Sequence, residues 1–315
     1  MKDLGRLLAV RPRARLVAVL IAVVVVAGCA RTPVGMTDDW TRHLPGASSP
    51  SAVPTEVDLP TVTPSTIGTP PPAVTPPPRP APVDPFSTLS PRTRKQFRPC
   101  LAKVVGPGSS GRCTTLLLKK LKAAGYYPWA VPGTLTTAGV NALLNYQRSR
   151  GIHGSGRTGR STWLALASRA KAVPSTLPGK CRTTKGVILC VDQAHRRLFW
   201  IRNHKVVRTF AVRLGGWNFH PKTKKWKVFA TANGTWHVYD KQVNPKSENY
   251  GSGAMPYSTM FYPDMYVHYS PVFHSVGYAT SSHGCVNIRN LGDARWIFRN
   301  TPLGATVYIY SPAAA

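Results

Sequence analysis

Roughly half of the chain's 30 prolines fall between Arg31 and Arg92, in runs such as "PSTIGTPPPAVTPPPRPAPVDP" with Thr, Ser and Ala between them. Such a stretch cannot bury enough apolar surface to offset the entropy of ordering it. It therefore rules out a single core running through the chain and confines any fold to the residues that follow. The stretch reads as a disordered tether over residues 29–95, of which the roughly sixty residues from Arg31 to Arg92 extend to about 190 Å in polyproline geometry.

Ahead of it, "MKDLGRLLAVRPRARLVAVLIAVVVVAGCA" places Lys2, Arg6, Arg11, Arg13 and Arg15 before an apolar run from Leu16 to Ala27 that ends in small residues. Basic head, apolar run and small-residue end make residues 1–28 a secretory signal. The run is shorter than the roughly 20 residues that span a bilayer, which disfavours an uncleaved anchor. "VAGC", Val26 to Cys29, resembles the lipobox of bacterial lipoproteins. That resemblance implies an acylated Cys29 and an extracytoplasmic protein, lipid-anchored to the bacterial plasma membrane and reaching into the cell wall.

Export changes how charge and thiols are read. A formal net charge of +30 would suggest nucleic acid inside a cell. Outside it, the polyanions at hand are lipid head groups and acidic wall polymers, so anionic wall polymers are the expected partners and nucleic acid is not. Of six cysteines, four remain once Cys29 and Cys285 are set apart. The sequence-local pairs Cys100 with Cys113 and Cys181 with Cys190 each close a short loop worth about 3 kcal/mol, although four cysteines allow two other connectivities. None of the four has the CxxC spacing of a zinc site, so no metal is expected.

Residues 96–172 carry helical periodicity in three short pieces: Leu117, Leu118, Leu121 and Ala124; Val140, Leu143, Leu144 and Gln147; and Trp163, Leu164 and Leu166. Gly125, Gly133, Gly151 and the Gly154–Gly156 stretch punctuate them. The segment resembles small three-helix peptidoglycan-binding domains at Gly125, Tyr126, Tyr127, Thr137, Tyr146, Gln147, Gly151, Thr162 and Leu166. It departs where the family's Asp-Gly turns appear as Pro132-Gly133 and Ser155-Gly156. From residue 180 to 312 the texture turns to β, with Val187, Leu189 and Val191 alternating, "RNHK" as a turn, and one helical piece at "LGDARWIFRN". The expected whole is an α+β multidomain chain: tether, three-helix domain, mostly β domain.

Chemistry concentrates at "SSHGCVNIR", Ser281 to Arg289. A cysteine that only packs sits in an apolar run, whereas Cys285 follows a His-Gly pair. A thiol near pKa 8.5 is about 3% thiolate at pH 7, and lowering its pKa to about 6 makes it roughly 90% thiolate. A nearby imidazole can do this. In an extended strand, residues i and i+2 face the same way, which would turn His283 toward the thiol, although a turn fits the flanking Gly and Asn equally well. Gly284 lets the backbone approach a developing oxyanion.

"VHYSPVFHSVGYATSSHGCVNIR" resembles the signature of the L,D-transpeptidase (YkuD-type) family at His268, Tyr269, Ser270, Pro271, Val276, Gly277, Ser282, His283, Gly284 and Cys285. "VFATANGTWHVYDK" and "MPYSTMFYPDMYVH" resemble the family's upstream segments, extending the likeness over residues 186–310. Tyr269-Ser270 replaces a common Gly-Thr, and the basic run "HPKTKKWK", His220 to Lys227, resembles a variable insertion facing the acidic wall. The resemblance implies Cys285 as nucleophile and His268 as base, with His274 a less well-spaced rival. It implies the Tyr269 carbonyl as the group orienting that base, His283 and Gly284 shaping the thiol's surroundings, and the N–H groups of Gly284 and Cys285 as oxyanion donors. Asn287 would order the turn or contact substrate, and Tyr257, Met255 and Ser282 would line the substrate groove. It also implies acyl transfer on peptidoglycan stem peptides without a cofactor, and acylation of Cys285 by carbapenems. Hydrolysis of the same thioester, as an L,D-carboxypeptidase, and a non-catalytic wall-binding lipoprotein are the competing readings.

Overall fold

The apolar anchors begin earlier than the expected boundary at residue 96. Phe86 and Phe97 are both buried, and Ser90 caps the first helix with Pro91 at its first position, the Ser90 Oγ accepting from the Thr93 N–H. The structure, a computed structural model, describes residues 83–247 and 250–311. The signal segment, Cys29 and the tether up to residue 82 lie outside the described residues.

Four helices come first: α1 Pro91–Phe97, α2 Arg112–Ala123, α3 Thr137–Ser149 and α4 Arg160–Ala167. They bury Leu117, Leu118, Leu121, Leu143, Tyr146 and Trp163 in one cluster. A disulfide between Cys100 and Cys113 ties the start of α2 to the turn after α1. Gln147, which falls on the apolar stripe of α3, is buried but satisfied. Its Nε2 donates to the Arg157 carbonyl at 2.7 Å and its Oε1 accepts from the Gly156 N–H at 3.0 Å, so it braces the loop into α4.

A short helix, α5 Gly179–Thr183, leads into the strands β1 Val187–Asp192, β2 Arg197–Arg202, β3 Lys205–Arg213, β4 Trp217–His220, β5 Lys225–Val228, β6 Gly234–His237, β7 Asp240–Gln242, β8 Ser258–Tyr262 and β9 Met265–Tyr269. Helix α6 Pro271–Val276, strand β10 Val286–Ile288, helix α7 Leu291–Asn300 and strand β11 Thr306–Tyr310 complete the described chain. Among the described residues they form a curled nine-stranded sheet, ordered β6-β11-β1-β2-β3-β10-β9-β8-β7, and a separate β4–β5 hairpin. The alternation expected in β1 is only half of the pattern, because both parities are buried. Leu189 and Val191 enter the main core, while Ile188 and Cys190 pack with Cys181, Ile201 and Tyr310 under α5. The Cys181–Cys190 disulfide holds that helix over the outer face.

Helices and sheet belong to one unit, Pro77–Ala315, and α3 carries the junction. Asn141 grips the backbone of Trp217 from both sides, Nδ2 donating to its carbonyl at 3.0 Å and Oδ1 accepting from its N–H at 2.9 Å. Replacing Asn141 with leucine leaves the Trp217 N–H without its acceptor. It is expected to cost about 1–3 kcal/mol, read as a lower denaturant midpoint at unchanged slope.

Candidate active site

Three adjacent strands bring the site together. β10 lies between β3, antiparallel to it, and β9, parallel to it, with Asn287 opposite Arg213 on one side and His268 on the other. Residues directly opposite one another share a face of the sheet, and here their side chains form one hydrogen-bonded row. The Arg213 guanidinium donates to the Asn287 Oδ1 through Nε and Nη2, at 3.1 and 2.8 Å. That fixes the amide so that its Nδ2 donates to His268 Nε2 at 2.8 Å. On its other side His268 Nδ1 donates to the Tyr269 carbonyl at 2.6 Å. The ring is therefore held as the Nδ1–H tautomer, with the Nε2 lone pair on the Asn287 side.

The row ends at a cavity of about 480 Å³ lined by Cys285, His268, Asn287, Arg213, His283 and Met255, among others. Cys285 is unpaired and half-buried. Its thiol donates to the Asp264 carbonyl at 3.7 Å. Burial pushes this thiol up to about 11, against the pull of the Tyr266 N–H and with a further push from Asp264. Burial also drives His268 down to about 4, opposed by the Tyr269 carbonyl and reinforced by the Arg213 charge. The resting pair is thus a neutral thiol and a neutral imidazole, not the thiolate that the sequence suggested. Desolvation dominates in both groups because no cation offsets it at the thiol and no carboxylate offsets it at the imidazole.

Gly284 adopts φ +119°, which favours glycine. A Cβ there would meet Met265 Cε at 2.9 Å and the Ala230 carbonyl at 3.2 Å. Gly284→Ala is accordingly expected to destabilise the fold by about 2 kcal/mol, measured by urea unfolding. The same turn upsets simple alternation. Asn287 and Cys285 both line the cavity, but the His283 Nε2 donates to the Phe219 carbonyl at 2.7 Å and its ring packs edge-on against Phe229. Ser282 clips the turn shut, its Oγ donating to the Cys285 carbonyl at 2.6 Å and accepting from the Gly284 N–H at 3.2 Å.

Residues 186–309 match the family model of the YkuD L,D-transpeptidase catalytic domain. Solved structures with which the chain shares similarity include an L,D-transpeptidase from Xylanimonas cellulosilytica, at 22% identity and TM-score 0.36 over 66% of this chain and 98% of that one. Another, from Stackebrandtia nassauensis, has 23% identity and TM-score 0.35 over 66% and 97%. L,D-transpeptidase 1 from Mycobacterium tuberculosis has 21% identity and TM-score 0.29 over 40% and 61%. No curated protein matches the chain.

Within the matched residues, Cys285, His268, Asn287, Met255 and His283 meet at one cavity, and the Tyr269 carbonyl holds His268. Other expected site residues are placed differently. Tyr257 packs against the core and Phe298 instead of facing the cavity, because its φ of +56° turns the chain there. Ser282 lines the cavity, and its hydroxyl accepts from the Gly284 N–H, so that N–H is already engaged and is not free to act as the expected oxyanion donor. Asn287 is engaged on both ends of its amide by Arg213 and His268, so it orders the base. His274 is exposed on α6, its Nδ1 beside the Arg289 carbonyl. Arg213 and Thr280 are not singled out by the sequence, and Ser270 stands there only as a position of the signature, with no role. Arg213 is one of several arginines along β2 and β3, and only strand register sets it apart as the buried one, bonded to Ser270 Oγ and Thr280 Oγ1. Among the described residues no group of His, Cys, Asp and Glu is arranged to hold a metal.

Proposed function

We propose that this chain is a cysteine L,D-transpeptidase that cross-links peptidoglycan stems through a thioester on Cys285. One observation carries the reading: an unpaired, half-buried cysteine opens onto the same cavity as a histidine fixed in its base-competent tautomer by Tyr269 and Asn287. The match to the YkuD family supports it.

The neutral pair sets the order of events. As Cys285 Sγ bonds to the carbonyl carbon ahead of the terminal D-alanine of a tetrapeptide stem, the thiol proton passes to His268 Nε2, which lets go of the Asn287 amide to receive it. The carbonyl oxygen becomes an oxyanion. The N–H groups of Cys285 and Tyr266, which favour the thiolate at this sulfur, would serve as the oxyanion's donors. Collapse breaks the C–N bond, and D-alanine leaves with the proton from His268. An amine of a neighbouring stem then attacks the thioester, passes its proton through His268 to the departing sulfur, and restores the thiol. Positive charge from Arg213 beside His268 disfavours a long-lived imidazolium, so the proton is handed on instead of stored.

Around this centre we place the remaining functions. The helical unit would hold the enzyme on peptidoglycan, Cys29 would carry the lipid anchor, the tether would set the reach into the wall, and acidic wall polymers would meet the basic surface. Incubation with a purified tetrapeptide stem tests the central reaction. Released D-alanine together with a cross-linked dimer mass supports transpeptidation, a tripeptide alone indicates hydrolysis, and unchanged substrate rejects both.

A further inference from the structure

The β4–β5 hairpin takes no part in the acyl transfer described above. It stands apart from the nine-stranded sheet, Phe219 paired with Trp226 and His220 with Lys225. Every residue of β5 is exposed and every residue of β4 half-exposed. Trp226 is 47% exposed, yet it stacks on Trp217 with ring centroids 6.1 Å apart and planes 19° apart, and touches Phe219 at 5.8 Å. A large aromatic held in place with a face in water is the usual equipment of a binding surface, because ordering it again on binding costs little.

Charge points the same way. No Asp or Glu occurs anywhere from residue 193 to residue 239, whereas the hairpin carries Lys222 and Lys224 in its turn and Lys225 and Lys227 on β5. Lys224 and Lys225 form no ion pair among the described residues. The hairpin is nevertheless anchored at its base. Asn141 of α3 grips Trp217, Asn218 Nδ2 donates to the Ser281 carbonyl at 2.8 Å, and the Phe219 carbonyl accepts from His283 two residues before Cys285. Asn218 also lines the cavity that holds the sulfur.

We infer that the β4–β5 hairpin is a binding finger for the glycan of the proposed substrate. A pyranose face stacks on Trp226, and the carboxylates of the attached peptides meet Lys224 and Lys225. This deepens the transpeptidase reading and rests on it for the identity of the polymer. An aromatic face selects sugar rings over a phosphate polymer, which would need the lysines alone. Because the base of the finger forms one wall of the cleft, a strand lying along it presents its peptide stems to Cys285.

The test is cosedimentation of the full chain with purified sacculi stripped of phosphate polymers, in parallel with binding to poly(glycerol phosphate). Acylation of Cys285 by a carbapenem serves as the independent readout. Trp226→Ala and the pair Lys224→Glu, Lys225→Glu are each expected to weaken sacculus binding by about tenfold, the charge pair losing its effect at high salt. Trp226→Tyr should keep most of the binding, and acylation should stay within about twofold of the parent in every variant. Sacculus binding that is indifferent to Trp226→Ala overturns the inference, whether or not the lysine variant binds less. Loss of sacculus binding alongside failure of the parent itself to acylate would leave the finger standing and remove the catalytic reading.

Discussion

Exchanging Cys285 for alanine or serine is expected to lower D-alanine release from a tetrapeptide stem by ~10⁴-fold or more, with the folded state kept. The size follows from what is lost. No other free cysteine occurs among the described residues, so the covalent route ends with this sulfur and only positioning of the scissile bond remains. Serine is the more instructive variant, since it keeps a nucleophilic atom in nearly the same volume but with a much weaker acid, and a single neutral imidazole has to deprotonate it. Stability should change by about 1 kcal/mol or less, because the side chain is half-buried at a cavity and no packed neighbour collapses with it. A loss of activity accompanied by unfolding would reassign Cys285 to structure.

The second large effect is in pH dependence. With the thiol near 11, its thiolate fraction rises tenfold for each pH unit across the neutral range. Alkylation of Cys285 by iodoacetamide should therefore accelerate by ~10³-fold from pH 7 to pH 10 with no plateau between them. Turnover should behave differently, because His268 supplies the base and stays neutral down to about 4. The sign is fixed by which form works. The histidine must be unprotonated to take the thiol proton, so activity is retained above pH 5 and falls as the pH drops through about 4. An alkylation rate already level at pH 7 would mean a pre-formed thiolate–imidazolium pair. An acid limb near the ordinary histidine value of about 6.5 would mean that burial and Arg213 do not govern the ring.

Much of this site is written locally in the chain. Cys285 stands out because a polar, titratable setting is unusual for a cysteine, and His268 through its place in the signature that the segment resembles. The two disulfides also followed from short spacing, Cys100 with Cys113 and Cys181 with Cys190. What could not be read locally depends on partners distant in sequence. Arg213 becomes special only when β3 pairs with β10, and the burial that makes both His268 and Cys285 neutral is a property of the assembled sheet. The expected thiolate fails for that reason: a nearby imidazole favours it, but the water removed by burial disfavours it more. Tyr257 and Ser282 fell on the right segments, but a positive φ and a hydroxyl-clipped turn sent one away from the cavity and committed the other. In β1, alternation showed one buried face, whereas the second face is covered by α5, a helix too short to stand out by periodicity.

Everything turns on a bond between one sulfur and an acyl group, and mass spectrometry can look for that bond directly. The intact chain, mixed with a tetrapeptide stem, quenched in acid and digested, should yield the peptide containing Cys285 heavier by the stem minus D-alanine, with the added mass removed by hydroxylamine. D-alanine released with no adduct on that peptide, or with the adduct on another residue, would contradict the account.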